Sequence, residues 1–132
     1  MVIDTSALVA ILFHEAEGSA LKRVIAAEPR ISMSIVTFYE ASVVTALKKS
    51  DGYAAGLVDE FIRSAGIEIV PLDLSGSMAA REAYFRFGKG FHPARLNLAD
   101  CFSYVLAKTR DEPLLFKGDD FAKTDIAPAW RP

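Results

Sequence analysis

The sequence predicts an α/β fold built on a mainly parallel sheet. Three observations carry this prediction. Short strand-like runs recur along the chain, at Val2-Ile3, Arg30–Met33, Ile67–Val70 and Pro113–Phe116. Helical stretches lie between them. Punctuating residues such as Pro29, Gly52, Gly66 and Pro71 stand at the joints.

In order, Val2 and Ile3 form a buried strand that runs into Asp4. Thr5 or Ser6 then caps a helix reaching about Phe13. His14-Glu15 interrupts it, and a second helix runs from Glu15 to Ala27, with Leu21, Val24 and Ile25 on one side, until Pro29 stops it. After the strand Arg30–Met33, Ser34 is a good N-cap for a third helix that ends at Lys49, before Ser50-Asp51-Gly52. A fourth helix spans Tyr53 to Ala65, with Leu57, Phe61 and Ile62 as its apolar stripe and Gly66 as its stop. Ile67–Val70 is the third strand. Leu74 to Phe87 is a fifth helix, and Gly88 to Arg95 (GKGFHPAR) has clear loop chemistry. Asn97 caps a sixth helix to about Thr109. Pro113–Phe116 is the last strand, and Gly118-Asp119-Asp120-Phe121 is a turn or short helix.

A length of 132 residues predicts one domain, residues 1–132. The net charge of −2 gives no general sign of nucleic-acid binding, although clustered acids mask basic residues elsewhere. A single cysteine, Cys101, rules out an intrachain disulfide and suits a reducing cytoplasm. Asp4 interrupts the apolar start, which argues against a signal peptide. No run of 18 or more apolar residues predicts a membrane span.

Most of the 17 acids sit where solvated acids belong. Four places do not. Asp4 ends an apolar strand. Glu40 shares a helix face with Val36, Val43, Val44 and Leu47, where an unpaired carboxylate costs on the order of several kcal/mol. Asp100 lies one turn into the sixth helix, on a face with Leu96 and Tyr104. Asp119 and Asp120 follow the strand Leu114–Phe116, repeating the strand-then-acid arrangement of Asp4.

Singly, each acid except Glu40 has a capping or turn explanation: Asp4 as an N-cap, Asp100 completing a capping box with Asn97, and Asp119 and Asp120 beside Gly118. Glu40 would need a salt bridge. One carboxylate-lined site explains all of them. Carboxylates without companion histidines or cysteines specify a hard cation, Mg²⁺ or Mn²⁺. Such a cation activates water and neutralises a phosphoryl oxygen. Zinc is disfavoured, because His14 and His92 are far apart in sequence and Cys101 is alone.

The pattern VIDTSAL, Glu40 within a helix, LNLADC and LLFKGDDF resembles PIN-domain ribonucleases, and more closely the VapC-type toxins of bacterial toxin–antitoxin pairs. The resemblance spans essentially the whole chain. It implies a three-layer α/β/α sandwich and a Mg²⁺- or Mn²⁺-dependent endoribonuclease. Asp4, Glu40 and Asp100 fall on the acidic motif positions. For the fourth, Asp119 is preferred over Asp120 because it comes first after the strand. Thr5 or Ser6 would orient Asp4 or a metal-bound water. The resemblance also implies a small VapB-type antitoxin lying over an apolar groove, and a homodimer; the lack of a long apolar run predicts no membrane partner.

The basic residues Arg81, Arg86, Lys89, His92 and Arg95, with Tyr84, Phe85, Phe87 and Phe91 among them, are candidates for an RNA-binding and stacking surface. Lys117, beside Gly118, is a stronger candidate for a phosphate contact near the metal. Two other readings compete. A PIN-fold binding module would lack catalysis, against which the intact acidic set argues. A small haloacid-dehalogenase-like phosphatase would need a second Asp two residues after the first, where Ser6 stands.

Overall fold

A computed structural model describes all 132 residues. Four parallel strands, β1 (Val2–Ile3), β2 (Ser32–Ser34), β3 (Glu68–Val70) and β4 (Leu114–Leu115), form one sheet in the order β3-β2-β1-β4. Val2 pairs with both Ser32 and Leu114, so β1 is central. Between β1 and β2 lie α1 (Thr5–Leu12) and α2 (Gly18–Ala27). α3 (Ile35–Lys49) and α4 (Gly56–Ala65) connect β2 to β3, and α5 (Leu74–Phe87) and α6 (Leu98–Arg110) connect β3 to β4.

Successive strand residues point to opposite faces, and the core divides accordingly. Ile3 and Leu115 join Leu8, Leu21, Met33 and Val58 in the cluster under α1–α4. Their neighbours Val2 and Leu114 join Ala83, Phe87, Leu96 and Tyr104 under α5 and α6. This is the expected three-layer α/β/α sandwich. The chain builds leftward from β1 to β3, then returns to place β4 on the other side of β1. A crevice therefore opens beyond the carboxyl ends of β1 and β4, where such sheets bind ligands.

The element boundaries differ from the sequence reading at informative points. Asp4, not Thr5 or Ser6, caps α1, accepting from the Ser6 amide. Ser34 is both the last residue of β2 and the N-cap of α3, so no loop separates them and the strand lies later than Arg30–Met33. α2 begins only at Gly18, after His14 takes a left-handed φ of 52°. Gly18 allows α1 and α2 to meet, since a Cβ there would lie 2.6 Å from the Ala10 carbonyl oxygen. The expected fourth helix starts as a 3-10 turn at Gly52–Ala55, and Gly66 ends α4 in the left-handed conformation (φ 64°), as its position predicts.

On α3 the expected polarity is reversed. The face that meets the core carries Thr37, Ala41 and Thr45. Small side chains let the helix approach its neighbours closely, while Val43 and Leu47 of the apolar face point outward, Leu47 being 72 % exposed. Glu40 is therefore not a core carboxylate and has no buried salt-bridge partner. It stands at the edge of a cleft.

Candidate active site

That cleft, about 300 Å³, lies over the carboxyl ends of β1 and β4. It is lined by Asp4, Thr5, Ser6, Val9, Glu40, Val44, Asn97, Asp100, Lys117, Asp120 and Phe121. Residues from α1, α3, α6 and the turn after β4 thus meet at one place.

Asp4 is the most constrained. It is 2 % exposed, and its carboxylate is held on both oxygens. The Ser6 amide and hydroxyl donate to Oδ2 at 2.9 and 2.7 Å. The Ser103 hydroxyl donates to Oδ1 at 2.8 Å. Ser6 Oγ in turn accepts the Lys117 amide at 3.0 Å, which ties the end of β4 to the start of α1. Of the two hydroxyls expected to orient Asp4, Ser6 does so. Thr5 instead donates to the Thr37 carbonyl at 3.3 Å.

Asp100 completes a capping box with Asn97: its Oδ2 accepts the Asn97 amide at 2.7 Å, and Asn97 Oδ1 accepts the Asp100 amide at 2.9 Å. The capping bond and the cleft position thus belong to the same side chain. Burial, then the nearby charge of Asp4, pushes the Asp100 carboxyl up to about 7, with Glu40 and Asp120 adding to the effect. Burial also raises Glu40, reinforced by Asp4 and partly offset by the polar side chains of Thr5 and Asn97.

After β4, Gly118 takes a φ of +97°, a conformation that side chains other than glycine rarely adopt. The turn sends Asp119 and Asp120 to different places. Asp120 lines the cleft. Asp119 lines a neighbouring cavity with Glu17, Trp130 and Arg131. Order along the chain favours Asp119, but it is Asp120 that the structure brings to the cleft, because chain order does not specify direction through a left-handed turn.

Lys117 is the cleft's only basic residue, and its ammonium is already engaged. Nζ lies 2.7 Å from Glu15 Oε2 and 3.1 Å from Glu17 Oε2, and Glu15 also receives Lys48 at 2.9 Å. No cation of the protein therefore neutralises Asp4, Glu40, Asp100 and Asp120. Their donor set consists of hard oxygens, which suits Mg²⁺ or Mn²⁺. No three His, Cys, Asp or Glu side chains stand close enough together to hold a metal ion between them; Asp4, Glu40, Asp100 and Asp120 share the cleft without forming such a group. A cation held here would take one or two of these carboxylates directly and meet the others through its waters.

The other basic candidates do not line the cleft. Arg86 pairs with Asp125 at 3.4 Å and stacks on Phe87. The His92 ring packs on Phe87, and its Nδ1 accepts the Ala94 amide. Lys89 and Arg95 are exposed on the loop that leads to Asn97. Among the aromatics, Phe87 is core, whereas Phe85 and Phe91 are exposed and meet edge-on at 5.6 Å.

Sequence reasoning missed Ser103, Thr37 and the cleft position of Asn97. A weak signal existed: Ser103 lies one turn after Asp100 between Phe102 and Tyr104, and Thr37 lies one turn before Glu40.

The PIN domain profile matches residues 1–127. The chain belongs to the PIN-domain family, among its VapC ribonucleases. It is 44 % identical over 128 residues to Ribonuclease VapC of Mycolicibacterium smegmatis, covering 96 % of this chain and 98 % of that one. It is 40 % identical over 130 residues to Ribonuclease VapC42 of Mycobacterium tuberculosis, with 98 % of each chain covered. Its fold is shared by Mycobacterium tuberculosis VapC20, a Sarcin-Ricin loop cleaving toxin (TM-score 0.80, 18 % identity, 99 % of this chain and 98 % of that one). A toxin-antitoxin complex from Klebsiella pneumoniae contains a similar chain (TM-score 0.69, 16 % identity, 99 % and 98 % covered).

Proposed function

We propose that residues 1–132 act as one nuclease domain, a Mg²⁺- or Mn²⁺-dependent endoribonuclease and the toxin of a type II toxin–antitoxin pair. The observation that carries this reading is the convergence of Asp4, Glu40, Asp100 and Asp120 on one cleft that holds no free positive charge. The relatives named as VapC ribonucleases support it across the full chain.

Asp4, Glu40, Asp100 and Asp120 would hold the cation. When bound, it supplies an activated water and neutralises charge on a phosphoryl oxygen during hydrolysis of a phosphodiester bond. The protein's part is positioning. Ser6 and Ser103 fix the orientation of Asp4. The capping box fixes Asp100 at the start of α6. Lys117 reaches a substrate phosphate once it leaves Glu15 and Glu17.

RNA beyond the scissile bond is met by Lys89, Arg95 and the exposed rings of Phe85 and Phe91, which offer charge and stacking without sequence readout. An antitoxin covers apolar surface beside Glu40, where Tyr39, Val43, Leu47, Tyr53 and Leu57 are exposed. A homodimer and a cytoplasmic location complete the reading. No helix is long and apolar enough to cross a membrane.

The test is cleavage of single-stranded RNA by antitoxin-free protein. Cleavage with Mg²⁺ or Mn²⁺, abolished by EDTA, is the expected result. Absence of cleavage across diverse RNAs with either metal would leave the binding module as the better reading.

A further inference from the structure

The Ser103 hydroxyl is fully buried and lies between two side chains from elements remote in sequence. It donates to Asp4 Oδ1 at 2.8 Å and lies 2.9 Å from Thr37 Oγ1. A hydroxyl has one proton to give, and a carboxylate only accepts. With the Ser103 proton committed to Asp4, Thr37 must donate to Ser103. The chain of bonds is therefore directed, from Thr37 on α3 through Ser103 on α6 to Asp4 at the end of β1.

The accounting at Asp4 shows what this does. A carboxylate offers about four lone-pair sites. Both sites of Oδ2 are taken, by the Ser6 amide and hydroxyl. One site of Oδ1 is taken by Ser103. A single site remains, on Oδ1, and Ser103 sets where it points.

We propose that Ser103, directed by Thr37, is a positioning residue that presents one Asp4 oxygen to the cation. The inference rests on the cation reading given above. It accounts for two buried hydroxyls on facing helices where packing alone would be served by alanine and valine. Groups that hold a ligating carboxylate typically change metal affinity by 10–100-fold when removed.

The experiment is a calorimetric titration of Mn²⁺ into the antitoxin-free protein and its Ser103→Ala, Thr37→Val and Asp100→Asn variants, each first checked for folding by metal-free melting. Ser103→Ala is expected to weaken Mn²⁺ binding by at least about 10-fold. Thr37→Val should weaken it in the same direction by less, and RNA binding without metal should be unchanged in both. Thr37→Val alone carries the test if Ser103→Ala does not fold. Variants at Ser103 and Thr37 that bind Mn²⁺ as tightly as the parent, while Asp100→Asn does not, would overturn this inference and leave the cation reading standing. A parent protein that takes up no Mn²⁺ overturns both.

Discussion

The Asp100 carboxylate accepts the Asn97 amide at 2.7 Å, so the acid that faces the cleft is also the acid that starts α6. The two roles separate on substitution. Asp100→Asn keeps a side-chain oxygen for the Asn97 amide and removes the charge. It is expected to abolish RNA cleavage while melting no lower than the parent in EDTA. Asp100→Ala loses the capping interaction as well and should cost about 1 kcal/mol. Retained cleavage in both Asp4→Asn and Asp100→Asn would remove the site assignment.

Metal-free stability should depend on pH through the same residue. Asp100 is pushed up to about 7 in the folded protein, and Glu40 is raised in the same direction. Glu15, Glu68 and Asp125, held below the usual carboxylate range by hydrogen bonds from neighbouring side chains, and Glu17, held there by its own backbone amide and then by Lys117, act the other way below about pH 5. Between about pH 5 and 7 the raised pair dominates, the folded state binds more protons than the unfolded chain, and stability falls as pH rises. Melting in EDTA should show this fall, and Glu40→Gln should make it shallower by relieving repulsion with Asp4. Saturating Mn²⁺ should oppose the fall, because a bound cation favours the charged carboxylates. A metal-free melting temperature that rises from about pH 5 to 7 would contradict the arrangement.

The Lys117 ammonium is held by Glu15 and Glu17. Neutralising both, as Glu15→Gln with Glu17→Gln, should free the ammonium. RNA binding in an Asp4→Asn background is expected to tighten, with a steeper dependence on salt. Lys117→Gln should weaken binding and flatten that dependence. Equal salt slopes in all three proteins would place Lys117 in the ion-pair cluster only.

Thr45 is fully buried on the core face of α3, and its hydroxyl has no hydrogen-bond partner. Thr45→Val keeps the shape and removes the unsatisfied group. A gain of about 1 kcal/mol is expected, read as a higher denaturant midpoint at unchanged slope.

Much of the site was legible in the sequence because it is encoded locally. An acid directly after an apolar strand, an acid three residues after Asn97 and an acid set within an apolar helix are each visible from their neighbours. The alternation of strands and helices, the stops at Gly66 and Ser50, and the family motifs are of the same kind. Together they determined the α/β architecture and brought Asp4, Glu40 and Asp100 forward as candidates.

Only the tertiary structure decided the remainder. Ser103 meets Asp4 across 99 residues of chain, through packing of α6 over the sheet that no local pattern encodes. The left-handed turn at Gly118, not chain order, directs Asp120 rather than Asp119 into the cleft. Close packing put the small face of α3 inside and left Val43 and Leu47 outside, which moved Glu40 from the core to the cleft's edge. Sequence periodicity distinguishes the faces of a helix. Which face turns inward depends on how near the neighbouring elements come, and distances between elements exist only in the folded chain.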